Sequence, residues 1–164
     1  MKIYYREKYD GIEILRCFGI EGRVELPEMI EDKLVVSAAP YAFSSHMDEK
    51  EELKNAGLWE VSDGLEFGRE EHVLAGNDVE EIVFPDTLKE IGRYIFYGCG
   101  NLRKLEFSDS LMQIGCGAFT GCHALEKLTV HMRQGKKSGV KEMLGEMWQR
   151  IDVNFLYEYE EDGI

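Results

Sequence analysis

One stretch of this chain, residues 79–130, contains the same pattern twice and begins it a third time. Val79 to Asn101 and Leu102 to Ala124 align without a gap, and Leu125 to Val130 starts another copy. The starts, at residues 79, 102 and 125, lie 23 residues apart. A fixed period of this length is typical of a solenoid, because one unit cannot bury its own apolar face and must stack on its neighbours.

Apolar positions recur in register through the copies. The aligned sets are Ile82, Leu105 and Leu128; Phe84, Phe107 and Val130; Leu88 and Leu111; Ile91 and Ile114; and Phe96 and Phe119. In an extended segment, alternation places Ile82 and Phe84 on one face and Glu81 and Val83 on the other. Stacked copies therefore predict a short parallel sheet with an apolar inner face.

The outward strand positions are the candidate partner-binding residues. They are Glu81, Val83, Lys104, Glu106, Lys127 and Thr129. Glu81 beside Lys104 is a favourable cross-strand pair, whereas Lys104 beside Lys127 is mildly unfavourable. Trp59 is a further candidate, since an exposed aromatic side chain is a common interface anchor. A face this small and mixed also fits a purely structural role.

The pattern resembles the leucine-rich repeat of the BspA-like, Treponema-type family, which reads Leu-x-x-Leu-x-Leu-Pro-x-x-Leu-x-x-Ile-Gly-x-x-Ala-Phe-x-x-Cys. The matching residues are Leu102, Leu105, Phe107, Leu111, Ile114-Gly115, Ala118-Phe119 and Cys122, and one copy earlier Ile82, Phe84-Pro85, Leu88, Ile91-Gly92, Phe96 and Cys99, with Ile95 in place of the Ala. The resemblance implies a right-handed solenoid with a concave strand face. It also implies a binding or adhesion role, since many relatives are bacterial surface proteins, and it carries over no catalytic residues.

The chain is interpreted as a single strand-rich α/β leucine-rich-repeat domain. An N-terminal β-hairpin cap (1–22, turning at Asp10-Gly11) precedes a degenerate repeat (23–43), in which Leu26-Pro27 aligns with Phe84-Pro85. An acidic insertion (44–78) then interrupts the regular repeats (79–130). Within it we expect a helix over 48–55 and a hairpin joining 58–61 to 65–67.

Residues 131–164 are interpreted as a C-terminal helix–strand cap and tail. Arg133, Lys136 and Lys137 form a basic cluster in a predicted linker, and apolar spacing predicts an amphipathic helix over 140–151. The alternation over 152–159 predicts a strand. We expect that strand to close the solenoid within the chain, because short connections usually join neighbouring elements. Pairing with a second molecule is the alternative.

Glycine and cysteine recur with the repeat. Gly92 and Gly115 follow the aligned isoleucines, where we expect a turn that needs backbone freedom. Cys99 and Cys122 occupy equivalent positions and are predicted to be buried thiols, while Cys116 fills a variable position and should be more exposed. A metal site formed by the two aligned thiols and His123 is the weaker alternative, because it requires three or four convergent ligands.

Charge and hydropathy limit the classes of partner. The net charge of −13 disfavours nucleic acid and anionic membrane surfaces. The sequence contains no apolar run of about 18 residues, so no membrane insertion is predicted. The first residues lack the apolar region of a secretory signal, so we expect a cytoplasmic protein; removal of a signal would make it a surface or secreted one. Cytosolic cysteines are expected to be free thiols.

The histidines do not form a recognised catalytic spacing. His46, His72, His123 and His131 belong to no His-Glu-x-x-His motif, and no Gly-x-Ser-x-Gly motif or phosphate-binding loop occurs. The sequence therefore predicts no catalysis, cofactor or metal. It predicts a protein-interaction module with an unknown protein partner, as a monomer or weak dimer. The alternatives are a structural spacer, a terminal module of an assembly or adhesin, and an enzyme or metal-binding protein whose site is not recognised.

Overall fold

A computed structural model of the 164-residue chain describes residues 1–9, 11–61, 70–145 and 150–157. The strands are β1 (Lys2–Lys8), β2 (Gly11–Gly19), β3 (Arg23–Glu25), β4 (Met29–Ile30), β5 (Lys33–Ala38), β6 (Gly57–Glu60), β7 (His72–Val73), β8 (Glu81–Val83), β9 (Glu90–Ile91), β10 (Lys104–Ser108), β11 (Gln113–Ile114), β12 (Lys127–Met132) and β13 (Asp152–Tyr157). The helices are α1 (Glu49–Glu52) and α2 (Val140–Leu144), with 3-10 turns at Gly76–Asp78 and Gly135–Lys137.

The predicted parallel sheet is present and has five strands in the order β13-β12-β10-β8-β3. We call it the repeat sheet. Leu105 lies between Ile82 and Leu128, so neighbouring strands are offset by one 23-residue repeat. β3 pairs directly with β8, which places the degenerate copy beside the first regular one although the insertion separates them in sequence. β13 pairs in parallel with β12 over six residues, so the predicted pairing of this strand within the chain is confirmed.

A second sheet, which we call the hairpin sheet, lies across the coils. Its order is β11-β9-β5-β2-β1-β6, with β4 paired to β5 and β7 paired to β2. Strands β5, β9 and β11 run parallel, one from each coil, and β2 of the N-terminal hairpin joins β5. The sequence predicted the N-terminal hairpin but not its continuation into the coils, because β9 and β11 have two residues each and are too short to show alternation.

Aromatic side chains fill the interior between the two sheets. The Phe96 ring is fully buried and lies 6.1 Å from the ring of Phe43 and 6.2 Å from that of Phe84. Phe119, in the last coil, is only partly buried, because no further coil covers it among the residues that the structure describes. It lines a groove of about 510 Å³ that α2 borders. The two aligned positions therefore differ, since the ring of Phe96 is fully buried and that of Phe119 is not.

The recurring glycines are required by close approach of the coils, which corrects the sequence-based explanation. Neither Gly92 nor Gly115 has a positive φ. A Cβ atom on Gly92 would lie 2.4 Å from the backbone nitrogen of Pro40, and one on Gly115 would lie 2.2 Å from that of Arg93. A side chain at these positions has no space between adjacent coils. The degenerate copy has Ala39 at the equivalent position, where the preceding layer is β2 and not another coil.

Part of the insertion is attached to the N-terminal hairpin. β6 pairs antiparallel with β1, and this register places Trp59 opposite Ile3. Alternate residues of β6 face the core, so Trp59 is half-buried and packs against it, contrary to the expected exposed anchor. The strand predicted to pair with this segment, at residues 65–67, lies outside the described residues. The predicted helix over 48–55 is reduced to α1.

A buried arginine joins the hairpin to the degenerate copy. Arg16 on β2 is 2% exposed. Its guanidinium donates to the carbonyls of Tyr41 (3.1 Å), Ala42 (3.1 Å) and Ser44 (2.6 Å) and to the carboxylate of Glu49 (3.0 Å). One side chain thus satisfies the backbone of a turn and neutralises a charge on α1.

The C-terminal cap is attached through a buried carboxylate. Asp109, 3% exposed, accepts the backbone N–H groups of Arg133 (2.9 Å), Gln134 (2.8 Å) and Gly135 (3.1 Å). Arg133 also pairs with Asp86 at 2.6 Å. The segment predicted as a basic linker is therefore fixed to the last coils. Of the helix predicted over 140–151, the structure shows α2, and residues 146–149 lie outside the described part of the chain.

Candidate functional site

The outward face of the repeat sheet brings all six predicted strand positions together. Two rows of side chains cross the five strands. The first row is Arg23, Glu81, Lys104, Lys127 and Asp152, and the second is Glu25, Val83, Glu106, Thr129 and Asn154. Between them lies a shallow depression of about 130 Å³. The alternation of the strands thus positions every one of these side chains, with the inward residues buried beneath them.

Glu81 is the electrostatic centre of the first row. Its carboxylate lies 3.5 Å from the guanidinium of Arg23, 3.5 Å from that of Arg103 and 3.8 Å from the ammonium of Lys104. Lys127 lies between Lys104 and Asp152 in the ladder and forms no ion pair with the residues that the structure describes. These contacts are partly exposed, so each contributes little to stability. They leave the Lys127 ammonium accessible to a partner.

A histidine that belongs to no motif in the sequence lies on this face. His131 Nε2 lies 2.7 Å from a carboxylate oxygen of Glu106 on the neighbouring strand. Leu156 of β13 lies opposite His131, beyond the two rows, and is 44% exposed. Sequence reasoning missed Arg23, Asp152 and Leu156, because their strands fall outside the regular repeats. Trp59 lies on the hairpin sheet and is not part of this face.

A polar cleft of about 320 Å³ lies on the hairpin sheet. The Glu13 carboxylate, 1% exposed, accepts hydrogen bonds from Arg6, from Lys8 at 2.9 Å and from the Ser37 hydroxyl at 3.0 Å. Burial acts to raise the pKa of Glu13, but the bonds from Lys8 and Arg6 outweigh it and hold the pKa below its usual value. The bond to Glu13 raises the pKa of Lys8, which also contacts Glu90 at 3.2 Å. This network joins the hairpin to the coils.

The cysteines are free thiols. Cys99 is buried and donates its S–H to the carbonyl of Phe43 (3.1 Å), and Cys122 donates to that of Phe96 (3.3 Å). Each repeat thiol therefore caps a carbonyl of the preceding coil. Burial raises the pKa of Cys99 to about 12 and that of Cys122 to about 11. Cys116 is exposed, as predicted, whereas Cys122 is only partly buried.

The described residues contain neither a metal-binding cluster nor a membrane-spanning helix. Within residues 1–9, 11–61, 70–145 and 150–157, no three His, Cys, Asp or Glu side chains are placed to hold a metal ion. In the same ranges, no helix is long and apolar enough to cross a membrane.

Comparison with known proteins supports the repeat assignment. Residues 70–139 match the family described as BspA type leucine rich repeat region (6 copies). The chain carries a BspA-type leucine-rich repeat region. The match extends beyond both ends of the regular repeats at 79–130. No curated protein matches the sequence.

A solved leucine-rich-repeat structure shares the fold. A leucine rich cell surface protein from Faecalibacterium prausnitzii is 18% identical, with a TM-score of 0.50, and the alignment covers 79% of this chain. This chain spans only 31% of that protein. A leucine rich repeat protein from T. pallidum is also 18% identical, with a TM-score of 0.43, over 76% of this chain and 67% of its own. The Faecalibacterium likeness shows the fold of this leucine-rich repeat protein and nothing about its partner.

Proposed function

We propose that this leucine-rich-repeat protein is an interaction module that binds a protein partner through the outward face of the repeat sheet. The observation that carries the proposal is the continuous face formed by five strands in register. It presents charged and hydroxyl side chains on a rigid support, which is the arrangement that gives specificity in polar interfaces.

The distribution of charge indicates how a partner would be held. Glu81 is surrounded by three cations, whereas Lys127 is available to a carboxylate of the partner. Val83 and Thr129 provide small surfaces in the second row, where a partner backbone can approach closely. A polar face of this kind fits a transient interface better than an obligate one, because obligate interfaces are more apolar.

The proposal is tested by capture with charge-reversed variants. Wild-type protein, Lys127→Glu and Lys89→Glu would be immobilised, exposed to extract of the source organism, and the captured proteins quantified by mass spectrometry. Lys89→Glu is the matched control, since Lys89 is exposed, lies before β9 and makes the same change of charge away from the face. We expect one partner whose recovery falls at least tenfold with Lys127→Glu alone. Equal recovery on all three proteins would refute the use of this face.

A structural role within a larger assembly is the second candidate. The neutralisation of Glu81 within its own face favours it, because such a surface needs no partner for its charges. In that case capture would not depend on Lys127. The 31% span of the Faecalibacterium protein is compatible with either role.

The compartment stays a prediction. The sequence favours the cytoplasm, whereas the Faecalibacterium protein is described as a cell surface protein. Fractionation of cells followed by immunodetection distinguishes the two, and protease treatment of intact cells would degrade this protein only if it is exposed at the surface.

A further inference from the structure

The last strand of the repeat sheet has an open edge. β13 pairs with β12 on one side, and no other described strand pairs with it. The Asp152 N–H donates to the Glu126 carbonyl at 3.0 Å, at the start of the ladder. Because successive backbone groups of a strand point to opposite edges, the N–H and C=O groups of Val153, Phe155 and Tyr157 point away from β12. An edge of this kind is a template for another strand.

The opposite edge of the same sheet is protected. β3 has three residues, and its two outward side chains, Arg23 and Glu25, are charged and paired with each other at 3.3 Å. Short length and charge are the usual means of blocking an edge. β13 has six residues, pairs without a bulge, and contains no lysine or proline. The difference singles out β13 as the edge that is open to association.

The side chains of β13 hold the strand in place and leave an apolar surface. The Lys141 ammonium of α2 lies 4.7 Å from the ring centre of Phe155 and 5.4 Å from that of Tyr157. These cation–π contacts fix the strand from one side. Leu156, on the outward face, is 44% exposed, and Tyr157 is 37% exposed. The edge is therefore ordered before any partner arrives, which lowers the entropic cost of binding.

We propose that β13 is a strand-addition site for an extended segment of another protein that alternates apolar and basic side chains. Backbone hydrogen bonds would supply the affinity, as in other cases of strand addition. Asp152 begins the strand, and the chain has a net charge of −13. This charge attracts a basic segment. It repels a second copy of the chain, whose net charge is also −13.

Strand addition here is separate from the proposed function, because it uses the backbone of one edge and not the side chains of the outward face. The probe is a synthetic eight-residue peptide that alternates valine and lysine, labelled for fluorescence anisotropy. A second copy carries N-methyl groups on alternate residues along one edge, which removes the donors needed for the ladder. A third copy has glutamate in place of lysine. We expect binding of the first peptide and at least tenfold weaker binding of the other two.

Three variants of β13 test whether the peptide binds at this edge. Val153→Pro removes one outward N–H without breaking a bond to β12, a position that tolerates proline at a sheet edge. Asn154→Ala is the matched control, since the backbone groups of Asn154 point toward β12. Leu156→Lys adds a charge that repels the basic peptide. We expect at least tenfold weaker binding for Val153→Pro and Leu156→Lys, and less than a twofold change for Asn154→Ala, with all three checked for folding by thermal melting.

Amide hydrogen exchange provides a readout at individual residues. Bound peptide should slow exchange at Val153, Phe155 and Tyr157 at least tenfold and leave the control strand β3 unchanged. Three results would overturn the proposal: equal binding of the N-methylated peptide, no change in exchange at β13, or a concentration-dependent dimer in sedimentation that Val153→Pro abolishes. The last result would identify a second copy as the occupant. Tighter peptide binding in Lys127→Glu, with no loss in Val153→Pro, would move the site to the outward face, because the new carboxylate would attract the basic peptide.

Discussion

The substitution Gly115→Ala should force two adjacent coils apart. A Cβ atom at this position would lie 2.2 Å from the Arg93 backbone nitrogen and 2.6 Å from the Gly92 carbonyl carbon, whereas ordinary contacts begin near 3.4 Å. Both opposing atoms belong to the backbone, so no side chain can rotate away. The coils would have to separate by about 1 Å at this point, and a closely packed interior resists such a shift.

The magnitude follows from the contacts that this movement disturbs. The Gly115 N–H donates to the Ile91 carbonyl at 2.8 Å, and the Tyr94 N–H donates to the Cys116 carbonyl at 3.0 Å. Losing one or two such bonds costs about 1 kcal/mol each. Overpacking adds about 1–3 kcal/mol. We therefore expect the free energy of unfolding to fall by about 2–5 kcal/mol, a large part of the stability of a typical domain.

Urea unfolding followed by circular dichroism measures this change, provided that the m-value stays constant. Gly139→Ala is the control, because no atom lies within 4 Å of a Cβ built there. We expect it to change stability by no more than about 0.5 kcal/mol. If the space beside Gly115 were not needed, Gly115→Ala would stabilise the protein by about 0.4–1 kcal/mol. Alanine lowers the conformational entropy of the unfolded chain, and φ at this position is not positive. A variant as stable as the wild type would refute the close-packing argument.

Three further predictions follow from burial. Iodoacetamide should label Cys116 in the native protein at about pH 8, where the thiolate is the reactive form, but not Cys99, whose pKa burial raises to about 12; labelling of both at equal rates would contradict the interior placement. Phe96→Ala should cost about 3–5 kcal/mol in urea unfolding. Phe119→Ala should cost clearly less, because its ring is partly exposed, and equal losses would show that the last coil is covered. Arg16→Met should cost about 3–5 kcal/mol, because the carbonyls of Tyr41, Ala42 and Ser44 lose a charged donor, and Tm should fall accordingly; a loss below about 1 kcal/mol would contradict its role as the link to the hairpin.

The repeat accounts for most of what could be predicted about the site. Because each copy has the same length, residues 23 apart must be neighbours in the sheet, and this fixes Glu81, Lys104 and Lys127 in one row. The 23-residue period does not predict the positions of Arg23 and Asp152, which extend that row. Their strands lie outside the regular period, so only the folded chain shows where they pair.

The sequence alone determined the stacking of the coils. Its period sets the register of β8, β10 and β12, and its alternation separates the inner face from the outer one. The alternation over 152–159 also indicated that a further strand would close the sheet. These features depend on contacts between neighbouring repeats. Because every repeat makes the same contacts, the residues that make them recur periodically in the sequence.

The tertiary structure alone decided the contacts that join distant, non-repeated segments. The second sheet, the half-buried Trp59, the buried Arg16 and the carboxylate of Asp109 all depend on pairing between segments that share no pattern. The tertiary structure also decided why residue 115 is a glycine. The sequence does not show whether a glycine is needed for its backbone conformation or for close approach of another segment. Only the distance to Arg93 in the next coil shows that the residue is needed for close approach.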